Sequence, residues 1–480
     1  MQKHHRILLV VSIGVFMSTM DSSMVNVALP TLMKVFGGSL AMTEWVVLMY
    51  LLVVTVTLLF WGYFANTIGQ GRLYSRGILL FTIGSLCCSL SPSLGFLIGA
   101  RFIQAIGASM MMAMGPALIN SSYPREHLGE GLGMVGIATS LGLMTGPAVS
   151  GLLLRWSHWR FIFLVTVPIG LLVYIFWRKI LLPIGRPRRM SGRATSFDLI
   201  GGVLYLFAVT ISIVLLTQTH AGKGCCGQSA LVWSWSFSLA AAFFWILFIV
   251  YELRQGQPLL PLRLFLDRFF AMAMVSAMLS FVVLFLVLLL MPFYLSSVRG
   301  FPPDRVGWFM MAVPLCVFFV APLAGRLHDK IGARIIASGG LSICLFSLLL
   351  LTRLTSDSPA AFIITALALL GVGQAMFLAP NSAAALAGVA HDKSGITSSL
   401  LATSRNMGML LGTAVAGFIF AHTYSRLTGG LDIREYAPGQ VASFIGALHQ
   451  TFVVGSWIGL VAVLTSWLRG QPENRESPSP

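Results

Sequence analysis

Acidic residues are scarce in this chain: 15 Asp and Glu stand among 480 residues, against 31 Lys and Arg. Charged residues together make up only 10%, where a soluble domain carries about 25%, so water is excluded as the main solvent of the fold. Cysteine is sparse too. Cys87, Cys88, Cys225, Cys226, Cys316 and Cys344 include two adjacent pairs and no CxxC spacing, which points to free thiols and not to a disulfide framework. There is no HExxH cluster, and His158, His220, His328, His391 and His422 fall at the ends of apolar runs or between them. An intramembrane protease would need such a cluster or a buried Ser/His arrangement, and a channel would need a ring-forming selectivity loop. No catalytic set, metal site or cofactor is expected.

What the chain has instead is apolar length: 57% of its residues are hydrophobic. A membrane span takes about 20 apolar residues, so fourteen spans would use about 280. Apolar runs lie near 7–29, 45–65, 73–92, 94–120, 131–154 and 160–182, then 198–220, 230–252, 269–296, 306–327, 335–353, 359–381, 399–421 and 449–468. The basic opening from Met1 to Arg6 leads into the first run with no small-residue cleavage site after it, so this run is expected to be kept as a span.

The net charge of +16 does not read as a nucleic-acid footprint, because the basic residues flank apolar runs. With fourteen spans, 20 of the 31 Lys and Arg residues fall on the side of both termini and nine on the other, leaving Arg101 and Arg405 inside spans. That bias places both termini in the cytoplasm. The linker from Arg186 to Arg193 is its strongest element. Between Ala421 and Phe444 lies the longest outward segment, read as a small hairpin or amphipathic cover, and the polar tail from Gln471 to Pro480 is expected to be disordered.

Two loops repeat a pattern. Gly62 to Arg72, with Asn66 and Gly69, lies between spans 2 and 3, and Gly325 to Arg334, with Asp329 and Gly332, lies between spans 10 and 11. Each has Gly, six residues, Gly and a nearby Arg. Spans 1–6 and 9–14 are therefore expected to form parallel repeats with spans 7–8 inserted between them. The expected units are 1–182, a six-helix bundle; 183–268, the basic linker and inserted spans; 269–468, a second six-helix bundle; and 469–480, a tail.

An acid at mid-span costs about 2.5–3.5 kcal/mol on insertion scales and should face a cavity or a partner. Asp21 is such a residue, placed for proton uptake or for a structural hydrogen bond. Arg101 has the same problem and cannot usefully lose its proton, leaving a role opposite Asp21 or a fixed bridge to carbonyls. Glu44, Asp198 and Glu252 are read as acids at span ends. Asn26, Gln104, Arg405 and Asn406 add polar groups to a central cavity, with snorkelling as the other role open to Arg405. Gly142, Gly146, Pro147 and Gly151 allow close helix approach and a bend. Trp45, Tyr50, Met110 and Met114 suit a pliable apolar pocket, or plain packing.

Three ordered stretches carry a resemblance: Met20-Asp-Ser-Ser-Met-Val-Asn-Val-Ala-Leu-Pro30, Arg101-Phe-Ile-Gln-Ala-Ile-Gly107 and Gly142-Leu-Met-Thr-Gly-Pro-Ala-Val-Ser-Gly151. They resemble the signatures of the major facilitator superfamily, in particular its fourteen-span drug:proton antiporters of the QacA/EmrB type. The resemblance implies an all-α membrane protein of two six-helix bundles plus two central spans. It also implies proton-coupled export of small lipophilic compounds, cationic or neutral, by a monomer in the bacterial inner membrane. Export of an endogenous metabolite is the alternative, and a periplasmic adaptor with an outer-membrane channel is a partner left open. The repeated loops resemble the superfamily's gating loops, but this chain has Asn66 where the family has Asp.

Overall fold

The computed structural model describes residues 3–123, 128–181, 198–218, 228–256, 260, 262–387 and 394–470, and these are helical with short connections. The linker Arg186 to Arg193, His220, Cys225, Cys226, His391 and the tail from Gln471 lie outside the described residues, as do the side chains of Asn66 and Asp329.

The chain begins with α1 (Lys3–Phe36), α2 (Leu40–Ile68), α3 (Gln70–Ser89), α4 (Leu94–Ser122), α5 (Leu128–Trp156), the short α6 (Phe161–Leu164) and α7 (Thr166–Leu181). A pair follows, α8 (Leu199–Gln218) and α9 (Gln228–Arg254). The second group is α10 (Arg268–Phe293), α11 (Pro303–Met310), α12 (Ala312–Ile331), α13 (Ala333–Leu351), α14 (Ala360–Ala387), α15 (Ser394–Leu427) and α16 (Val441–Trp467). Side-chain oxygens start several of these helices by taking otherwise orphaned amides. Ser39 accepts from Met42 at 3.2 Å, Ser93 from Phe96 at 3.3 Å, and Asp267 from Phe269 at 2.8 Å.

Among the described residues twelve helices are long and apolar enough to cross a membrane, fewer than the fourteen runs read from the sequence. The shortfall lies at two places. α3 opens with Gly71, Arg72 and Arg76, which lower its apolarity, and the sixth run is described as an apolar helix only over Phe161–Ile175, too short on that stretch to be counted. The segment after the thirteenth run is also shorter than expected. α15 continues to Leu427, and residues 428–440 form two single 3-10 turns, Ile433–Glu435 and Pro438–Gln440, in place of a hairpin.

The two groups repeat one packing scheme. α3 lies on α4 and α1 on α5, while α13 lies on α14 and α10 on α15. Glycines set these contacts. Gly77 and Gly107 pack backbone to backbone in the first group, as Gly340 and Gly373 do in the second. A Cβ on Gly142 or Gly146 would stand 2.7 Å from the Phe16 carbonyl or 2.8 Å from that of Met20 on α1; Gly408 and Gly412 meet the Met278 and Val282 carbonyls of α10 in the same way. The repeated loops match as well. Gly69 (φ 96°) and Gly332 (φ 92°) sit in a conformation that L side chains rarely adopt, and each donates its amide to the carbonyl four residues back, Ala65 and His328. The α8–α9 pair packs on itself and touches α2 and α15.

Candidate functional site

α1 and α4 cross in the interior of the first group and bring three polar side chains together. Asp21 is 0% exposed, Arg101 1% and Gln104 0%. The Arg101 Nη1 donates to Asp21 Oδ2 at 2.6 Å and to Gln104 Oε1 at 2.6 Å, while its Nε donates to the Val46 carbonyl of α2 at 3.0 Å. Gln104 Nε2 then donates to Asp21 Oδ1 at 2.9 Å and to Ser85 Oγ of α3 at 2.7 Å. Every bond is consistent with one orientation of the Gln104 amide, its oxygen toward the guanidinium and its nitrogen toward the carboxylate. The Tyr50 ring covers the guanidinium at 4.3 Å and the Phe163 ring lies 5.8 Å away, contacts that favour a cation in a dry site.

Burial makes this cluster strongly interdependent. Two charges taken from water lose several kcal/mol of solvation each, and removing one partner of a buried pair costs about 3–5 kcal/mol because the other is left uncompensated. The arrangement thus pairs a carboxyl group at the middle of a membrane helix with a guanidinium, out of contact with solvent.

The structure places the other expected residues as follows. Gly142 and Gly146 press α5 onto α1 beside Met20 and Ser23, the flanks of Asp21. Gly151 and Pro147 face the other group: Gly151 lies against Pro303 and Asp304 of α11, and Gly307 of α11 lies against the Pro147 carbonyl. One helix therefore touches both the Asp21 element and the opposite half. Tyr50 stacks on Arg101, and Trp45 is partly buried on the same helix. Met110 and Met114 are buried, Met110 against Gly77 of α3, so they pack between helices. Asn26 is buried further along α1.

On the second group, Arg405 donates to the Ser382 hydroxyl of α14, and Asn406 donates to the Ala402 carbonyl of its own helix at 2.9 Å; neither joins Asp21. Gly62 and Gly325 have open space around them, and Arg72 is exposed. Arg334 donates to the Trp467 carbonyl at 2.8 Å and lies over the Trp467 ring. Among the described residues no group of His, Cys, Asp or Glu could hold a metal ion.

Several participants were not legible beforehand. Ser85, Cys88, Phe163 and the Val46 carbonyl have no signature of their own, although Gln104, one turn from Arg101, announces a polar stripe on α4 that needs partners. Glu44, placed at a span end from the sequence, is 1% exposed on α2, and neither carboxyl oxygen has a hydrogen-bond partner among the described residues.

Where the two halves meet, the contacts lie toward the end of the bundle away from the chain termini, here the far end. α5 meets α11 through Gly151, Pro147 and Gly307, and Arg155 pairs with Asp304 there. α2 meets α15 where Gly417 lies on Glu44.

Comparison with known proteins agrees with this architecture. The description "Major Facilitator Superfamily" matches residues 11–413 and 273–480. The riboflavin transporter RibZ of Clostridioides difficile (strain 630) is 33% identical over 459 residues, 95% of this chain and 96% of that protein. The multidrug resistance protein Stp of Mycobacterium tuberculosis (strain ATCC 25618 / H37Rv) is 31% identical over 415 residues, covering 86% and 75%. The methyl viologen resistance protein SmvA of Salmonella typhimurium (strain LT2) is 30% identical over 424 residues, covering 87% and 83%. In fold, an inward-facing, unoccupied bacterial homolog of the human lysosomal transporter Spinster matches with a TM-score of 0.72 at 15% identity, over 100% of this chain and 99% of that one. A D-xylose-proton symporter matches with a TM-score of 0.67 at 14% identity, over 99% and 100%. The chain belongs to the major facilitator superfamily and is a multi-pass membrane transporter of small molecules, not an enzyme.

Proposed function

We propose that this transporter is a proton-coupled exporter of small lipophilic compounds, of the fourteen-span drug:proton antiporter type, with α3 and the α6–α7 pair completing the count. On this reading it is a monomer in the bacterial inner membrane with cytoplasmic termini. The units are 1–182 and 269–468, with 183–268 inserted and 469–480 as a tail, and the repeated glycine loops gate the terminal end. The observation that carries the reading is the Asp21–Arg101–Gln104 cluster, fully enclosed in a bundle whose halves meet at the far end.

The cycle follows from the charges. With Asp21 ionised and held by Arg101, substrate enters the cavity from the terminal side. After release at the far side a proton reaches Asp21, the ion pair is lost, α1 and α5 shift against the second half, and the proton then leaves Asp21 for terminal-side water, which re-forms the ion pair and restores the first state. One charge crossing 100 mV contributes about 2.3 kcal/mol to the step, enough for roughly a fifty-fold substrate gradient. Because Arg101 already neutralises Asp21, a neutral compound or a monovalent cation suits the site better than a dication.

A second reading is transport of a metabolite, favoured by the 33% identity over 95% of this chain to a protein named as a riboflavin transporter. Purified protein in proteoliposomes separates the two, with tetraphenylphosphonium, methyl viologen and riboflavin as probes under an imposed pH gradient. The exporter reading expects gradient-driven exchange of the lipophilic cation that is lost in Asp21→Asn, while substrate counterflow without a gradient survives. Transport that ignores the gradient, or a gradient response intact in Asp21→Asn, overturns it. Movement of riboflavin alone supports the second reading.

A further inference from the structure

The contact between halves has two parts that the internal repeat makes equivalent. The offset in residue number that relates Gly69 to Gly332 and Gly77 to Gly340 also relates Glu44 to Gly307, and the offset that relates Gly142 to Gly408 relates Gly151 to Gly417. At one part Gly307 of α11 lies on Gly151 of α5; at the other Glu44 of α2 lies on Gly417 of α15. The fold can close this seam with glycine on both sides. At Glu44 it closes it instead over a carboxyl group, and a methyl group on Gly417 would overlap Glu44 Oε2.

Among the described residues nothing around this carboxyl answers a negative charge. Five helices pack against α2. From α1, Asp21 is committed to Arg101 and Lys34 is exposed. The only charged side chain of α4, Arg101, reaches the Val46 carbonyl and Asp21. α8 carries no charged residue, and Arg72 and Arg76 of α3 lie at the terminal end. On α15, Arg405 is bonded to Ser382, His422 stacks on Phe418, and Arg426 follows one turn later. Among the described residues Asp21 pairs with Arg101, Arg155 with Asp304 and Arg434 with Glu435, and Glu44 is in none of these pairs. An isolated buried carboxylate loses the hydration of a full charge, whereas a neutral carboxylic acid loses far less.

We propose that Glu44 is a proton-binding site of the seam between the halves: it carries a proton while α2 and α15 are closed at the far end and gives it to far-side water when they part. The inference goes beyond the role given to Asp21 and rests only on the reading that the halves separate at this end. The proton moves between water and one carboxyl oxygen, so acid on the far side favours closure there. That is the direction an exporter needs after releasing its substrate.

Infrared spectroscopy of the purified protein in lipid reads the site directly. The carbonyl stretch of a protonated carboxylic acid is expected at neutral pH in the wild type and in Asp21→Asn, and is expected to be lost in Glu44→Gln. The seam is read by electron-electron resonance between spin labels at Met42→Cys and Leu427→Cys, in a background with the native cysteines replaced. For one proton, the ratio of closed to open populations changes by up to about tenfold per pH unit. The wild type is expected to close as pH falls, while Glu44→Gln, and Glu44→Gly which copies Gly307, show no such pH response. Absence of the band from the wild type, or its persistence in Glu44→Gln, overturns the proposal. So does a pH-dependent distance that survives in Glu44→Gln but disappears in Asp21→Asn, an outcome that leaves the Asp21 reading standing.

Discussion

The two halves share a backbone plan and differ in what they bury. In the first half α1, α3 and α4 enclose Asp21, Ser85, Arg101 and Gln104. The positions related to these by the glycine contacts are Val283, Leu348, Leu367 and Leu370, all buried. The same crossing of helices is thus filled once by an ion pair and once by hydrocarbon. A packed apolar crossing is all that the architecture requires, so holding helices together does not by itself call for the charged version. Tyr74 makes the same point on a smaller scale. Its hydroxyl donates to the Val11 carbonyl at 3.1 Å and ties α3 to α1, whereas the equivalent residue of α13 is Ala337.

The largest effect should come from breaking the charged crossing on one side. Arg101→Leu leaves Asp21 buried without its cation and should cost about 3–5 kcal/mol, read as a lower unfolding temperature in detergent and as loss of transport. Copying the second half at three of these four positions, with Asp21→Val, Arg101→Leu and Gln104→Leu together, should recover most of that stability, because well-packed apolar replacements of buried ion pairs are often neutral or stabilising. Transport driven by a pH gradient should stay absent in the triple variant. A triple variant as unstable as Arg101→Leu would show that the two crossings are not interchangeable.

Next come the glycine contacts that both halves share. Gly146→Ala meets Ser23 and the Met20 carbonyl, and Gly412→Ala meets the Val282 carbonyl at 2.5 Å. Each should cost about 1–3 kcal/mol through overpacking, by thermal unfolding. A cost confined to one half would break the equivalence. Tyr74→Phe should lose about 0.5–1.5 kcal/mol, the net value of one hydrogen bond, in the same assay. The smallest effect belongs to Arg155→Gln at the rim of the seam. Arg155 is 50% exposed, and a pair so open to water is worth at most about 1 kcal/mol and fades with salt. Its signature should be a slight, salt-sensitive rise in the far-side open population.

The membrane character, the internal repeat and the candidate residues Asp21 and Arg101 were readable in order along the chain, because each depends on what a stretch of about 20 residues can do in lipid. The Gly62 and Gly325 loops betrayed the repeat through glycines that only a positive φ explains at Gly69 and Gly332. Span counting was less secure where polarity and helix length disagree. α3 is one continuous helix whose arginines at its start lower its apolarity, and the sixth run is apolar over the 15 residues Phe161–Ile175, so neither meets the length and composition of a span that the other twelve do.

Glu44 shows the limit most plainly. From the sequence it sits near the start of an apolar run, where an acid can reach water. Whether it does so depends on Gly417, which is far away along the chain, and on the closure of one half against the other. Local composition alone determined that this chain dissolves in lipid and repeats itself, since both follow from the free energy of short segments. Which polar groups are paired, and which carboxyl is left alone in the seam, was decided only by tertiary packing, because burial and partnership are properties of surfaces brought together from distant parts of the chain.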